Sequence, residues 1–173
     1  MGAIDFITRS SPVLIVRENG DREWRRGAQL HRDDGPAVEL ANGRKEWYRN
    51  GQRHRENGPA VEDGNHREWW ANNELHREDG PAIEDVEGRE WWIHGQRHRA
   101  DGPAVDNSDG RRQWFQNGQL HRIDGAPAVE WPDGDKEWWV KGKFVDASLD
   151  AYRSARLANQ EKAQPGVADK VAF

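Results

Sequence analysis

Aromatic and apolar positions fall along this chain in a repeating pattern rather than in blocks. The clearest copy runs Arg67-Glu68-Trp69-Trp70-Ala71-Asn72-Asn73-Glu74-Leu75-His76-Arg77-Glu78-Asp79-Gly80-Pro81-Ala82. Its first Trp recurs as Trp24, Trp47, Trp69, Trp91, Trp114 and Trp138, at intervals of 23, 22, 22, 23 and 24 residues. A fixed period of this size marks a repeat array. Inside each copy the pattern is that of a short hairpin. Polar turn pairs stand between its two arms: Arg26-Gly27, Asn50-Gly51, Asn72-Asn73, His94-Gly95 and Asn117-Gly118. Asn and Gly tolerate the positive φ that a two-residue type I′ turn requires.

In five copies a His follows the first Trp after seven residues, at His31, His54, His76, His98 and His121. The turn then predicts a register. Trp47 faces His54, Tyr48 faces Arg53 and Glu46 faces Arg55. By the same count Trp69 meets His76, Trp70 meets Leu75 and Glu68 meets Arg77. Alternation of side chains puts the Trp–His pair on one face and the other two pairs on the opposite face. Such pairs contribute roughly 0.2–1 kcal/mol each, so one hairpin is weak and the array must hold it. In the last copy Lys141-Gly142 is the turn, and Phe144, Val145 and Asp146 stand opposite Trp139, Trp138 and Glu137. Asp146 and Glu137 are like charges, and the repeat stops there.

The array opens with a half-unit. Pro12-Val13-Leu14-Ile15-Val16 takes the place held later by Pro36-Ala37-Val38-Glu39-Leu40, with Asn19-Gly20 as its turn. Its apolar strand suits a terminal cap. In the full units a Gly-Pro step, as in His98-Arg99-Ala100-Asp101-Gly102-Pro103-Ala104, predicts a kink or bulge, because Pro removes a donor and fixes φ. A second short strand then runs to Asn42-Gly43, Asp63-Gly64, Glu87-Gly88, Asp109-Gly110 or Asp133-Gly134. Length differences gather in this connection, and Ala126 is inserted before Pro127. One edge of the array is variable and the other constant, as tolerated loop insertions or adjustable recognition would make it.

The expected organisation is a leader over residues 1–11, the repeat array over 12–145, a helix over 146–163 and a tail over 164–173. Leu149, Tyr152 and Ala155 give the helix a modest apolar stripe, and Gln164-Pro165-Gly166 ends it. It is read as a cap over the last open strand edge, with a partner-binding helix as the alternative. The fold class is thus mainly β, an elongated single-layer antiparallel sheet of about six hairpins with a C-terminal capping helix.

Composition sharpens this picture. Hydrophobic residues make up 34% and charged residues 33% of the 173, and ten Trp supply burial that aliphatic residues usually give. That balance fits a thin sheet better than a deep core. The net charge of −5 is mild and mixed in sign, which argues against general nucleic-acid affinity. With no Cys, disulfides, thiolate metal sites and cysteine catalysis are excluded. No apolar run approaches the roughly 20 residues of a membrane span, and Met1 to Phe6 form neither a signal nor a myristoylation sequence. A soluble cytoplasmic protein is the expectation.

A unit such as Asp109-Gly110-Arg111-Arg112-Gln113-Trp114-Phe115-Gln116-Asn117-Gly118-Gln119-Leu120-His121-Arg122 resembles a MORN repeat, especially the divergent bacterial and phage variants. The resemblance covers residues 12–145. Arg32, Arg55, Arg77, Arg99 and Arg122 stand where the common unit has Gly after His. The resemblance implies stacked hairpins in a twisted antiparallel sheet, with roles in protein binding, dimerisation and sometimes lipid contact.

The candidate chemistry is repeated rather than gathered. Two strands per copy separate equivalent His residues by roughly 10 Å, too far to share one metal ion. A structural role is the plainer reading of the histidines, beside small-ligand contact or metal and acid–base work. A base precedes each first Trp by two residues, at Arg22, Lys45, Arg67, Arg89, Arg112 and Lys136, and is expected to pack over the indole. Paired aromatics concentrate toward the C-terminal half. The candidate binding residues are therefore Trp69, Trp70, His76, Arg77, Trp91, Trp92, His98, Arg99, Trp114, Phe115, His121, Arg122, Trp138 and Trp139. No catalytic residue, metal ligand or cofactor is expected. The leading function is a non-enzymatic module for protein binding or self-association, an inhibitor or antitoxin role being compatible with it. A binder of a small molecule or nucleotide through the Trp-His-Arg face is the alternative, an enzyme is third, and membrane contact is not expected.

Overall fold

The computed structural model describes residues 11–145 apart from Ile123, and every described regular element is a β-strand. The leader up to Ser10, the expected C-terminal helix, the tail and the Asp146–Glu137 pairing lie outside the described residues. The chain divides into two compact units, one ending at Arg97 and the other beginning at His98.

In the first unit an antiparallel ladder runs through Val13–Val16, Arg22–Arg26, Val38–Glu39, Lys45–Glu46, Val61–Asp63, His66–Glu68, Ile83–Glu84 and Gly88–Glu90. In the second, the antiparallel order is Val105–Asn107, Arg112–Gln113, Val129–Glu130, Lys136–Val140 and Lys143–Val145. The opening half-unit is present as expected, since Val13–Val16 pairs with Arg22–Arg25.

Beside the ladder stand short tip hairpins, and these follow the predicted register. Tyr48 pairs with Arg53, Trp70 with Leu75, Trp92 with Arg97 and Phe115 with Leu120. Both turn residues have positive φ at Asn50-Gly51, Asn72-Asn73, His94-Gly95, Asn117-Gly118 and Lys141-Gly142, as a type I′ turn demands. The first copy differs. Arg26 pairs with Gln29, so its loop is Gly27-Ala28 rather than Arg26-Gly27, and of that pair only Gly27 has positive φ.

In four copies the first Trp joins ladder and tip. Trp69 donates its N–H to the Ala82 carbonyl at 2.8 Å and accepts from the His76 N–H at 3.0 Å. Trp24, Trp47 and Trp114 do the same with Ala37 and His31, Ala60 and His54, and Ala128 and His121. Because the chain bends here, the expected pairing of Glu46 with Arg55 and of Glu68 with Arg77 does not form. Glu46 pairs with Val38 and Val61, and Glu68 with Val61 and Ile83. The Gly-Pro step carries the His-Arg segment away, and the Arg77 N–H bonds to the Trp92 carbonyl of the next copy at 3.0 Å.

The core is small. Ala37, Ala60, Ala82, Ala104 and Ala128 are fully buried, joined by Val61, Val105 and Val129. Each such Ala follows a Pro, directly preceded by Gly in all but the Ala128 copy, and Ala82 is bonded on both sides, its N–H going to the Glu90 carbonyl. A larger side chain at this crowded crossing would overpack it.

Candidate functional site

The repeated unit of chemistry is an arginine held against an indole. The guanidinium carbon of Arg32 lies 3.9 Å from the Trp24 ring centre, Arg55 3.8 Å from Trp47, Arg77 4.0 Å from Trp69 and Arg122 3.9 Å from Trp114. The base that stacks is therefore the one following His, not the one preceding Trp. Those preceding bases pair across the ladder with acids instead: Arg22 and Lys45 with Glu39, Lys45 and Arg67 with Glu62, and Arg112 and Lys136 with Glu130. Arg89 lies 6.0 Å from the Trp91 centre.

Each stacked arginine is fixed from several sides. Arg77 donates from Nε to Asp79 at 2.8 Å, and from Nη1 to the Pro81 carbonyl at 3.1 Å and to Glu84 at 3.2 Å. Arg32 repeats this with Asp34, Pro36 and Glu39, and Arg122 with Asp124, Pro127 and Glu130. Arg99 bonds Asp101 and the Pro103 carbonyl. Gly lies on the far side of the guanidinium. A Cβ at Gly35, Gly80 or Gly102 would sit 2.9 Å from the arginine Cζ. Trp, Arg, Asp, Gly, Pro and Glu of the copy thus serve one slot.

The histidines tie each copy to the next. Nδ1 of His31 accepts the Asn50 N–H at 2.9 Å, and His54, His76, His98 and His121 accept from Asn72, His94, Asn117 and Lys141, each at 3.2 Å. The donor is always the first turn residue of the following tip hairpin. Accepting at Nδ1 places the ring proton on Nε2, which in His31 faces Asp33 at 3.1 Å. The His31 contact holds the Asp33 carboxyl below its usual range. Burial, then the Lys141 charge, pushes His121 down.

The second aromatics look the other way. The indole N–H groups of Trp70, Trp92 and Trp139 donate to Glu68, Glu90 and Glu137 at 2.6, 2.8 and 2.7 Å. Arg97 lies over Trp92 at 4.9 Å, Phe144 meets Trp139 edge-on at 5.5 Å, and Trp138 donates to the Gly125 carbonyl. The candidate residues of the sequence thus fall into separate groups. Trp69 with Arg77 and Trp114 with Arg122 share slots, whereas Trp70, Trp92 and Phe115 belong to tip strands and Trp138 and Trp139 to the longer strand Lys136–Val140. His76, His98 and His121 belong to the inter-copy bonds.

Two places depart from the repeat. His66 bridges Glu68 at 2.7 Å and Asp85 at 3.1 Å, where Arg44 of the preceding copy bridges Glu46 and Asp63. Burial works against charge on His66, but its bonds to the two carboxylates prevail and raise its pKa. The second place is a shallow groove of about 530 Å³ in the first unit, lined by residues 32–36, Trp47, Arg49 and residues 54–57. It lies outside the predicted set. The available signal was Asn57, which interrupts the series Asp34, Asp79, Asp101, Asp124. Among the described residues no group of three His, Asp or Glu could hold a metal ion, and no helix could cross a membrane.

A scan against protein-family models finds no match, and a search of curated proteins finds no significant relative.

Proposed function

We propose that the chain is a non-enzymatic interaction module, a divergent MORN-type array that uses its aromatic–basic surface to hold a protein partner or a second copy. The observation carrying this reading is the recurrence of one outward-facing arrangement. In the slots of Arg32, Arg77 and Arg99 the Asp that caps the guanidinium is itself 84% exposed. Like groups presented again and again suit an extended partner, whereas catalysis needs unlike groups gathered once. The strand Val13–Val16 supports self-association, since all four of its apolar residues are exposed. An inhibitor or antitoxin acting in the cytoplasm of a bacterial or phage-infected cell fits such a module.

The groove beside Trp47 favours a second reading, a small-molecule or nucleotide binder. Native mass spectrometry of protein isolated gently from its host decides between them. A co-purifying protein or a doubled mass is expected. A bound species of a few hundred daltons on a monomer would replace the module reading with the small-ligand one.

A further inference from the structure

The second copy lacks a carboxylate that its sister copies supply from within. In four copies an Asp two residues after the slot arginine accepts from Nε: Asp34 at 2.9 Å, Asp79 at 2.8 Å, Asp101 at 3.0 Å and Asp124 at 3.0 Å. In the second copy this residue is Asn57, and among the described residues Arg55 makes no hydrogen bond from Nε. Its Nη1 remains bound to the Pro59 carbonyl at 2.8 Å and Glu62 at 2.7 Å, and its face remains on Trp47. The guanidinium therefore keeps its Nη1 contacts and its indole with the Nε edge unmet, while Gly58 beside it takes φ +128° and would place a Cβ 3.3 Å from Cζ rather than 2.9 Å.

A second donor beside it is also unmet. His54 Nε2 is buried without a hydrogen-bond partner. Its sister in the first copy, His31, has Asp33 at 3.1 Å, but the corresponding Glu56 stays 3.8 Å from His54 and is bound to Arg49 at 2.8 Å. Both donors belong to the wall of the one groove described above. The Nε edge faces solvent in the sister slots, because the Asp residues occupying it there are largely exposed. The groove's charges balance internally, Arg32, Arg49 and Arg55 against Asp33, Asp34 and Glu56, so what it offers an anion is directed N–H groups rather than a field.

We propose that the groove at Arg55 and His54 receives a carboxylate side chain from an acidic, extended segment of a protein partner, which takes the place the internal Asp holds elsewhere. The proposal rests on the interaction-module reading and names the chemistry of its partner. The chain itself provides the template: the stacked guanidinium groups of Arg32, Arg77 and Arg122 each bind a carboxylate at Nε.

The test follows the Arg Nε–Hε resonances by NMR during titration of the whole chain with the blocked peptide acetyl-Gly-Asp-Gly-Asp-Gly-amide, and separately with acetate. The Arg55 signal should shift saturably with the peptide while those of Arg77 and Arg122, which lie outside the groove, stay in place. Asn57→Asp fills the slot with the residue used by the sister copies, so it should fold and weaken the peptide by roughly tenfold or more. No saturable shift at Arg55, or unchanged binding by N57D, overturns the site. Acetate binding as tightly as the peptide overturns the partner segment and leaves a small-carboxylate pocket. A host protein that stays bound to N57D sinks this site but not the module. Peptide binding at Arg55 in a chain that captures no protein and stays monomeric supports the site while the module reading falls.

Discussion

Gly80 lies so close to Arg77 that a Cβ on it would stand 2.9 Å from the guanidinium carbon. Its φ is not in the left-handed region, so the demand is for space and not for backbone freedom. Gly80→Ala should therefore destabilise the chain by about 1–3 kcal/mol through overpacking. In an Arg77→Ala background the sign should reverse, because the slot is empty and Ala restricts the unfolded chain more than Gly does. A urea-unfolding double-mutant cycle measures this coupling. Additive effects would show that the slot does not select Gly.

His76→Ala should leave the His94 N–H without its acceptor, since Nδ1 of His76 accepts it at 3.2 Å. The bond is exposed and water can replace the acceptor, so the expected cost is about 0.5–1.5 kcal/mol. Hydrogen exchange localises it: the His94 amide should lose protection, while the Gly95 amide, bonded to the Leu75 carbonyl at 3.0 Å, should keep more of its own. Equal loss at both amides would mean that the whole tip hairpin opens and that the histidine acts by bulk alone.

The hairpins were legible because they depend on local chemistry. Asn50-Gly51 or Lys141-Gly142 announces a turn, and a two-residue turn leaves only one register for Tyr48–Arg53 or Trp139–Phe144. What lay beyond the tips was not local. Glu68 could not be assigned to Val61 and Ile83 from its own copy, because those partners are decided by where Trp69 bends the chain. The stacking arginine was misplaced for a related reason. Alternation along a strand puts Arg67 on the face of Trp69, but Arg77 reaches the indole through the Gly-Pro loop, whose path no periodicity describes. Spacing alone favours a structural role for the histidines, but their acceptor role needs the neighbouring copy in place.

His66 and Arg44 hold equivalent positions, each joining a Glu two residues ahead to an Asp of the next ladder turn. Imidazole donates from both nitrogens only when protonated. The folded pKa is raised above the ordinary 6.5, so this stabilisation is fully present below that value and is lost as pH rises through the folded pKa. His66→Arg should keep both contacts and abolish the loss. Thermal unfolding of the two proteins across pH 5–9 should show curves that separate on the alkaline side, and parallel curves would reject the bridging cation.

His121 should respond with the opposite sign. Burial first, and the Lys141 charge second, hold its pKa below the ordinary 6.5. Folding then favours the neutral ring, whose stabilisation is present above the unfolded pKa and is lost as pH falls through the folded one. The geometry gives the same sign independently, because Nδ1 accepts the Lys141 N–H at 3.2 Å and a proton there would set donor against donor. Acid should accordingly lower the hydrogen-exchange protection of the Lys141 amide after correction for intrinsic rates. His121→Asn, which keeps an acceptor but does not titrate, should remove that dependence. Acid over this range strengthens the His66 bridge in the first unit and releases the His121 bond in the second. Protection at His66 and at Lys141 should therefore move in opposite directions in one titration, and movement in the same direction would show that a general charge effect, not these two rings, governs the response.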